Sequence, residues 1–119
     1  MIEVNDKSFE REVIEASKKG TAVIVAAVAG WCKDSQRLLK IIPKIEKKYE
    51  GKIKFVKVET EKEPGKRTCP VVHDALHIRE YPTLSIFKKG RLVIQRISAG
   101  KEMYQLMDLH EFADIALSR

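Results

Sequence analysis

The residue in this chain best suited to chemistry is a cysteine at the start of a predicted helix. Cys32 lies between Trp31 and Lys33 in the segment GWCKDS, directly after the apolar run TAVIVAAVA. Such a run is typical of a buried strand, and the pattern from Lys33 onward is helical. The unpaired N–H groups and positive dipole end of a helix N-terminus favour a thiolate. We therefore expect Cys32 to be a nucleophile; the alternative is a small buried packing residue.

Ser35 lies three positions after Cys32, where a second thiol would complete a dithiol site. In a dithiol site the first thiolate attacks a target disulfide, and the second thiol then attacks the mixed disulfide. A serine hydroxyl forms no disulfide, so Cys32 can begin an exchange but cannot complete it through Ser35. Two roles remain for this hydroxyl: donating a hydrogen bond to the Cys32 thiolate, or satisfying the backbone of the first helical turn.

The other cysteine, Cys69, precedes Pro70 at a second predicted helix N-terminus, after the turn-rich segment EKEPGKRTCP. A long loop could bring Cys69 to Cys32 as a remote resolving thiol, provided that the two Cα atoms come within about 7 Å. The alternative is an unpaired loop cysteine. The chain has no C-x-x-C and no His/Cys spacing typical of zinc, so we expect neither a metal nor a cofactor.

Composition narrows the class of protein. A chain of 119 residues with 44% hydrophobic and 34% charged residues is typical of one globular domain, residues 1–119. Its net charge of +6 could attract nucleic acid, but aromatic residues make up only 7%, so we expect no nucleic-acid partner. Without an apolar run long enough to span a bilayer, or a signal-peptide pattern at the start, we expect a cytoplasmic protein with no membrane partner.

Periodicity and turn residues predict eight elements. A first helix starts near Asn5 or Asp6 and ends at Gly20; the strand 21–29, a helix over 33–49 and the strand 52–60 follow. Then come a short helix from Pro70 through His77, strands over 81–87 and 91–97 joined by a tight turn at Gly90, and a terminal helix. The predicted apolar face of that last helix comprises Tyr104, Leu106, Met107, Leu109, Phe112, Ile115 and Ala116.

This order predicts an α/β fold. Strands that follow helices imply a parallel pair, and the final hairpin adds an antiparallel pair. We therefore expect a central mixed β-sheet flanked by helices on both faces.

Several segments, in this order, resemble the thioredoxin family. The segment WCKDS after the buried strand is similar to the family's W-C-G-P-C, and EYPTLSIFKKGRL resembles its cis-proline strand and hairpin. The segment CPVVHDALHIREYPT resembles the short helix that leads into that strand, and FVKVE resembles the central strand. The resemblance covers nearly the whole chain. It implies the thioredoxin fold and a cis peptide bond before Pro82.

The resemblance also implies a substrate surface and partners. Residues expected to shape this surface beside Cys32 are Trp31, Lys33, Asp34, Tyr81, Pro82 and Thr83. The implied partners are protein or small-molecule disulfides and thiols. We expect the protein to be a monomer. Lys33 and Asp34 replace a Gly-Pro pair, so the turn should be less rigid and more polar. Ala26 stands where the family has a buried acid, and Lys57 where its lysine partner lies.

Together these features predict a monothiol exchange protein. Cys32 would form a mixed disulfide, which a small thiol, a partner protein or Cys69 would then resolve. The competing hypothesis is a non-catalytic thioredoxin-fold module that binds a protein through the same groove.

Overall fold

The computed structural model describes residues 1–118 and places β2, Ala22–Ala29, in the middle of a six-stranded sheet. All eight residues of this strand are buried. The sheet order is β1 (Ile2–Glu3), β3 (Ile53–Glu63), β2, β5 (Thr83–Lys88) and β6 (Arg91–Ile97), and β4 (Lys66–Arg67) pairs with the far end of β3. The predicted central strand is therefore confirmed.

The other elements follow in chain order. Strand β1 spans Ile2–Glu3, and the first helix, α1, begins as a π-helical stretch over Glu10–Glu15 and continues as α-helix over Ala16–Lys18. Helix α2 spans Lys33–Lys48, β3 Ile53–Glu63 and β4 Lys66–Arg67. Helix α3 spans Pro70–Ala75, β5 Thr83–Lys88, β6 Arg91–Ile97 and α4 Glu102–Leu117.

Strand pairing gives a mixed sheet, as predicted. Strands β1 and β2 both run parallel to β3, whereas β5 is antiparallel to β2 and to β6. Because successive side chains of a strand point to opposite faces, the apolar run of β2 supplies two cores. Ile24, Ala26 and Val28 face α2 and α4; Val23, Val25 and Ala27 lie in the cluster with Val13 of α1 and Val72 of α3. Helices thus cover both faces.

The structure corrects two predicted boundaries and adds a strand that was not predicted. Strand β3 continues to Glu63 and turns at Pro64-Gly65 into β4, so the segment expected to be a loop is a projecting hairpin. Helix α3 ends at Ala75 rather than running through His77, because His77 adopts a left-handed φ of 52°, a conformation that ends helices. Strand β1 was not predicted at all, since two residues carry too little periodicity.

The buried face of α4 also differs from the prediction. Leu109, Phe112 and Ala116 are buried as expected, but Tyr104 and Met107 are exposed. Gln105 takes a fully buried position instead. A polar residue on the buried face is the kind of exception that hydrophobic periodicity cannot find. Within the described residues, none of the helices has the length and apolar character needed to span a bilayer.

Truncating side chains of α4 should distinguish its buried face from its exposed face by their effects on stability. We expect Leu109→Ala to lower the free energy of unfolding by about 2–5 kcal/mol, because it leaves a cavity in the core. Met107, which is 60% exposed, serves as the matched control, and Met107→Ala should change stability by about 0.5 kcal/mol or less. Urea titration followed by circular dichroism measures both; equal losses would contradict this assignment of the helix face.

Candidate functional site

The site is built where β2 gives way to α2. Cys32 is the N-cap residue of α2, with an extended backbone (φ −92°, ψ 121°), and it is half-buried. Its N–H donates to the carbonyl of Ala29 at 3.1 Å, and its own carbonyl accepts the N–H of Gln36 at 3.1 Å. The sulfur therefore stands at a helix N-terminus, as the sequence predicted, at an end of a fully buried strand.

A second backbone segment faces the sulfur. The Cys32 thiol lies 3.8 Å from the carbonyl oxygen of Tyr81, to which it donates a hydrogen bond. The peptide bond between Tyr81 and Pro82 is cis, and Pro82 is buried. The structure thus brings Cys32, Tyr81 and Pro82 together across 49 positions of the chain.

Trp31, which precedes Cys32 in the chain, and Tyr81, whose carbonyl faces the sulfur, carry aromatic rings that contact each other. Trp31 is 46% exposed, and its ring meets the Tyr81 ring edge-on with centroids 6.1 Å apart. The Tyr81 hydroxyl shares a 2.6 Å hydrogen bond with the Thr60 hydroxyl. Burial raises the pKa of the Tyr81 phenol, so it stays protonated at neutral pH. The pair offers an apolar surface with a fixed geometry beside the thiol.

Ser35 does not contact the sulfur. Its side chain is fully buried, and its hydroxyl oxygen accepts the N–H of Ala29 at 3.2 Å. Among residues 1–118 the structure gives Ser35 no hydrogen bond to Cys32. The hydroxyl instead ties the first turn of α2 to the end of β2. Neither role considered from the sequence matches this geometry, because the hydroxyl bonds neither to Cys32 nor to the backbone of the first helical turn but to the last residue of β2.

Lys33 and Asp34 behave differently although they are adjacent. Lys33 is exposed, whereas the Asp34 carboxylate accepts hydrogen bonds from the N–H of Gly100 at 3.0 Å and from Nη1 of Arg37 at 2.7 Å. The Gly100 N–H, and then Arg37, hold the pKa of Asp34 below its usual value. Any stability that this carboxylate contributes is therefore present above its unfolded pKa and is lost only as pH falls through the lower folded pKa.

Thr83, expected on the substrate surface, is buried. Its hydroxyl donates to the carbonyl of Glu80 at 2.7 Å, which leaves the side chain little to offer a ligand. Ala26 and Lys57, the positions at which the family has an acid and a lysine, are paired in register on β2 and β3. The site therefore lacks the buried carboxylate at Ala26.

Cys69 lies in a different environment. It is only 6% exposed and packs in the core between the sheet and α3, with Val72 and Leu76. Burial, reinforced by the Asp6 carboxylate, raises the pKa of the Cys69 thiol. Both cysteines are free, and they are not near each other. Cys69 is thus a buried thiol rather than the loop cysteine expected from the sequence.

Several residues that shape the site were not identified from the sequence. Gln36 donates from Nε2 to the carbonyl of Gly30 at 2.8 Å, and Gln105 donates to the carbonyl of Asp34 at 2.8 Å. Arg37 and Gly100 hold Asp34, and Thr60 holds Tyr81. Hydrophobic periodicity gave no signal for any of them, since the predicted apolar face of α4 did not include Gln105. No group of His, Cys, Asp or Glu that could hold a metal occurs in the described part of the chain.

Comparison with known proteins agrees with this arrangement. The family model described as Thioredoxin matches residues 1–111. Thioredoxin 1 of Nostoc sp. is 35% identical over 97 residues, which cover 82% of each chain. Thioredoxin C-2 of Corynebacterium nephridii is 29% identical over 100 residues, 84% of each chain, and the thioredoxin of Rickettsia bellii is 36% identical over 87 residues, 73% of this chain and 74% of its own.

The two thiols should differ in reactivity. We expect iodoacetamide to modify Cys32 in the folded protein at least about tenfold faster than Cys69, because a buried, protonated thiol is a poor nucleophile. Peptide mapping by mass spectrometry measures both rates in one sample. In urea the difference should disappear; equal rates in the folded protein would contradict the burial of Cys69.

Proposed function

The chain belongs to the thioredoxin family, and we propose that it carries out thiol–disulfide exchange through Cys32 as a single active-site thiol. The observation that carries this proposal is the contrast between Cys32, which is half-buried, and Ser35, whose hydroxyl is fully buried and does not contact the sulfur. Cys32 stands at the N-terminus of α2 beside Tyr81 and Pro82, while Ser35 is buried one turn further along.

The first step is attack by the Cys32 thiolate on one sulfur of a substrate disulfide. A bond forms between Cys32 and that sulfur as the substrate S–S bond breaks. The other substrate sulfur leaves as a thiolate and takes up a proton. The attacking species is the thiolate form of Cys32, whose proton passes to solvent before attack.

The second step needs a thiol from outside the chain. Neither Ser35 nor the buried Cys69 can attack the mixed disulfide, so a small thiol or a partner's cysteine does so. That thiol loses its proton, bonds to the substrate sulfur and releases Cys32 as a thiolate. Summed over both steps, one thiol has replaced another in the substrate disulfide, and the protein returns to its starting state without net oxidation.

Substrate docking uses the surface around the sulfur. An extended peptide carrying the target disulfide would lie along the Tyr81–Pro82 segment, in the manner of an added strand. The aromatic pair of Trp31 and Tyr81 would contact side chains of this peptide, and the exposed Lys33 would interact with its acidic groups. Thr83 is left out of this surface because its side chain is buried.

The competing function is a module that binds a protein in this groove without exchange. The buried Ser35 and the missing acid at Ala26 are compatible with it, because both positions serve the second step of a dithiol mechanism. The two functions differ in one measurable property, the formation of a covalent bond at Cys32.

A mixed-disulfide assay tests the proposal. Incubated with an excess of a peptide disulfide and quenched with acid, the native protein should gain the mass of one peptide half at Cys32. Cys32→Ser should gain none, because a hydroxyl cannot form the bond. Cys69→Ser, the matched control, should react like the native protein.

The outcome decides between the two functions. Peptide binding without any mass gain at Cys32 would sink the exchange mechanism and favour the binding module. A mass gain that disappears in Cys69→Ser would show that the wrong sulfur had been assigned.

Restoring a thiol at position 35 provides a second test. We expect Ser35→Cys to reduce insulin in the presence of dithiothreitol at least about tenfold faster than the native protein, because the resolving step becomes intramolecular. The double variant that also carries Cys32→Ser should show no gain. A folded Ser35→Cys protein no faster than the native one would contradict the view that position 35 limits turnover.

A further inference from the structure

Polar contacts join the first turn of α2 to the segment before α4. The Asp34 carboxylate accepts the N–H of Gly100 at 3.0 Å, and Arg37 binds both this carboxylate and the carbonyl oxygen of Gly100. The main-chain carbonyl of Asp34 accepts the side-chain amide of Gln105 at 2.8 Å. Asp34 is therefore held at its side chain and at its backbone by residues 66 and 71 positions away.

The same segment contacts the cis-proline. The N–H of Ser98 donates to the carbonyl of Pro82 at 2.8 Å, and the carbonyl of Ser98 accepts the Gln105 amide at 2.9 Å. One atom, Nε2 of Gln105, thus connects the turn that carries Cys32 with the residue that bonds to Pro82. We call residues 98–100 the bridging loop.

Gln105 is a costly choice for packing alone. It is fully buried, and its Oε1 has no hydrogen-bond partner among the described residues. Burying an amide with an unmet acceptor costs free energy that an apolar side chain would avoid. In a buried site its two donated bonds are also stronger than they would be in water. The placement makes sense if α4 must do more than fill the core.

Asp34 presents a similar case. It occupies a position at which the resemblance would place a proline, whose ring restricts φ. An aspartate supplies no such restriction, so the rigidity of this turn must come from contacts. The bonds from Gly100 and Arg37 are charge-assisted, because an aspartate is ionised at neutral pH.

We propose that Asp34 and Gln105 are positioning residues that act through the bridging loop to hold the Cys32 sulfur in a fixed place relative to the Tyr81–Pro82 segment. Neither residue contacts the reacting atoms. Because the substrate disulfide lies along Tyr81–Pro82 in the proposed function, on which this inference rests, small displacements of the sulfur would slow attack.

The experiment compares Asp34→Ala, Asp34→Asn and Gln105→Leu with two matched controls. Asp114→Asn removes an exposed carboxylate further along α4, and Gln95→Leu removes an amide that bridges Leu76 and Ser85. Two rate constants of Cys32 are measured, with a peptide disulfide and with iodoacetamide. Hydrogen exchange of the Ser98 amide is followed by NMR in the same proteins.

The two rate constants should respond differently. In Asp34→Ala and Gln105→Leu the rate with the peptide disulfide should fall about tenfold. The rate with iodoacetamide should change less than about threefold, because this reagent reports the thiol and makes no use of Tyr81–Pro82. Asp34→Asn should lie between, since an amide oxygen can still accept the Gly100 N–H. Both controls should match the native protein.

Hydrogen exchange tests the bridge without relying on activity. The Ser98 N–H, which bonds to Pro82 and to neither Asp34 nor Gln105, should exchange faster in Asp34→Ala and in Gln105→Leu but not in the controls. Unchanged Ser98 exchange together with an unchanged peptide rate in folded Asp34→Ala overturns the proposal. Equal losses with both reagents overturn it too, because they would indicate a change in the thiol itself.

The experiment still decides if one variant does not fold or if the native protein forms no mixed disulfide. If Gln105→Leu fails to fold, Asp34→Ala decides alone, because the Asp34 side chain is 31% exposed and its removal leaves the core intact. If the native protein forms no mixed disulfide at Cys32, the proposed function fails. The Ser98 exchange data then decide separately whether the bridging loop couples the two segments.

Discussion

The burial of β2 on both faces is the constraint on which the site depends. Every residue from Ala22 to Ala29 lies inside the protein, covered by α2 and α4 on one side and by α1 and α3 on the other. A strand of this kind exposes no side chain to solvent, so a side chain that reacts with a substrate has to lie beyond the end of the strand. The chain emerges at Gly30–Trp31 and turns at once into α2, which places Cys32 where backbone N–H groups are unpaired. The position of Cys32 is thus a consequence of packing at the centre of the molecule.

The sequence predicted this part well because its signals are local and strong. An unbroken apolar run such as Ala22–Ala29 specifies a buried strand, and the pattern after Lys33 specifies a helix, so the location of Cys32 followed directly. The cis-proline segment was expected only through the resemblance, since no periodicity indicates which residue Pro82 will face. The β3–β4 hairpin and the early end of α3 were missed, because both depend on the conformations of single residues such as His77.

Contacts between distant polar residues could not be predicted. Nothing near Asp34 indicates that its partner is Gly100, and nothing near Thr60 indicates Tyr81. Gln105 illustrates the difficulty: periodicity assigned Tyr104 and Met107 to the core, yet the helix turns a glutamine inward and leaves both of those residues exposed. The shift is explained only once the two carbonyl groups that bind the Gln105 amide, those of Asp34 and Ser98, are seen together.

Two departures from the family pattern, at positions 26 and 35, affect the same chemical step. A second thiol at position 35 and an acid at position 26 both serve the resolution of a mixed disulfide, and the chain has Ser35 and Ala26 instead. In the proposed function an external thiol resolves the mixed disulfide, so the site does not have to move one sulfur toward another during the reaction. In that function the site has only to present one sulfur to a docked disulfide, and this requires a constant distance between Cys32 and Tyr81. A turn held by Asp34, Arg37 and Gln105 meets that requirement with contacts from α4 in place of the restricted backbone of a proline.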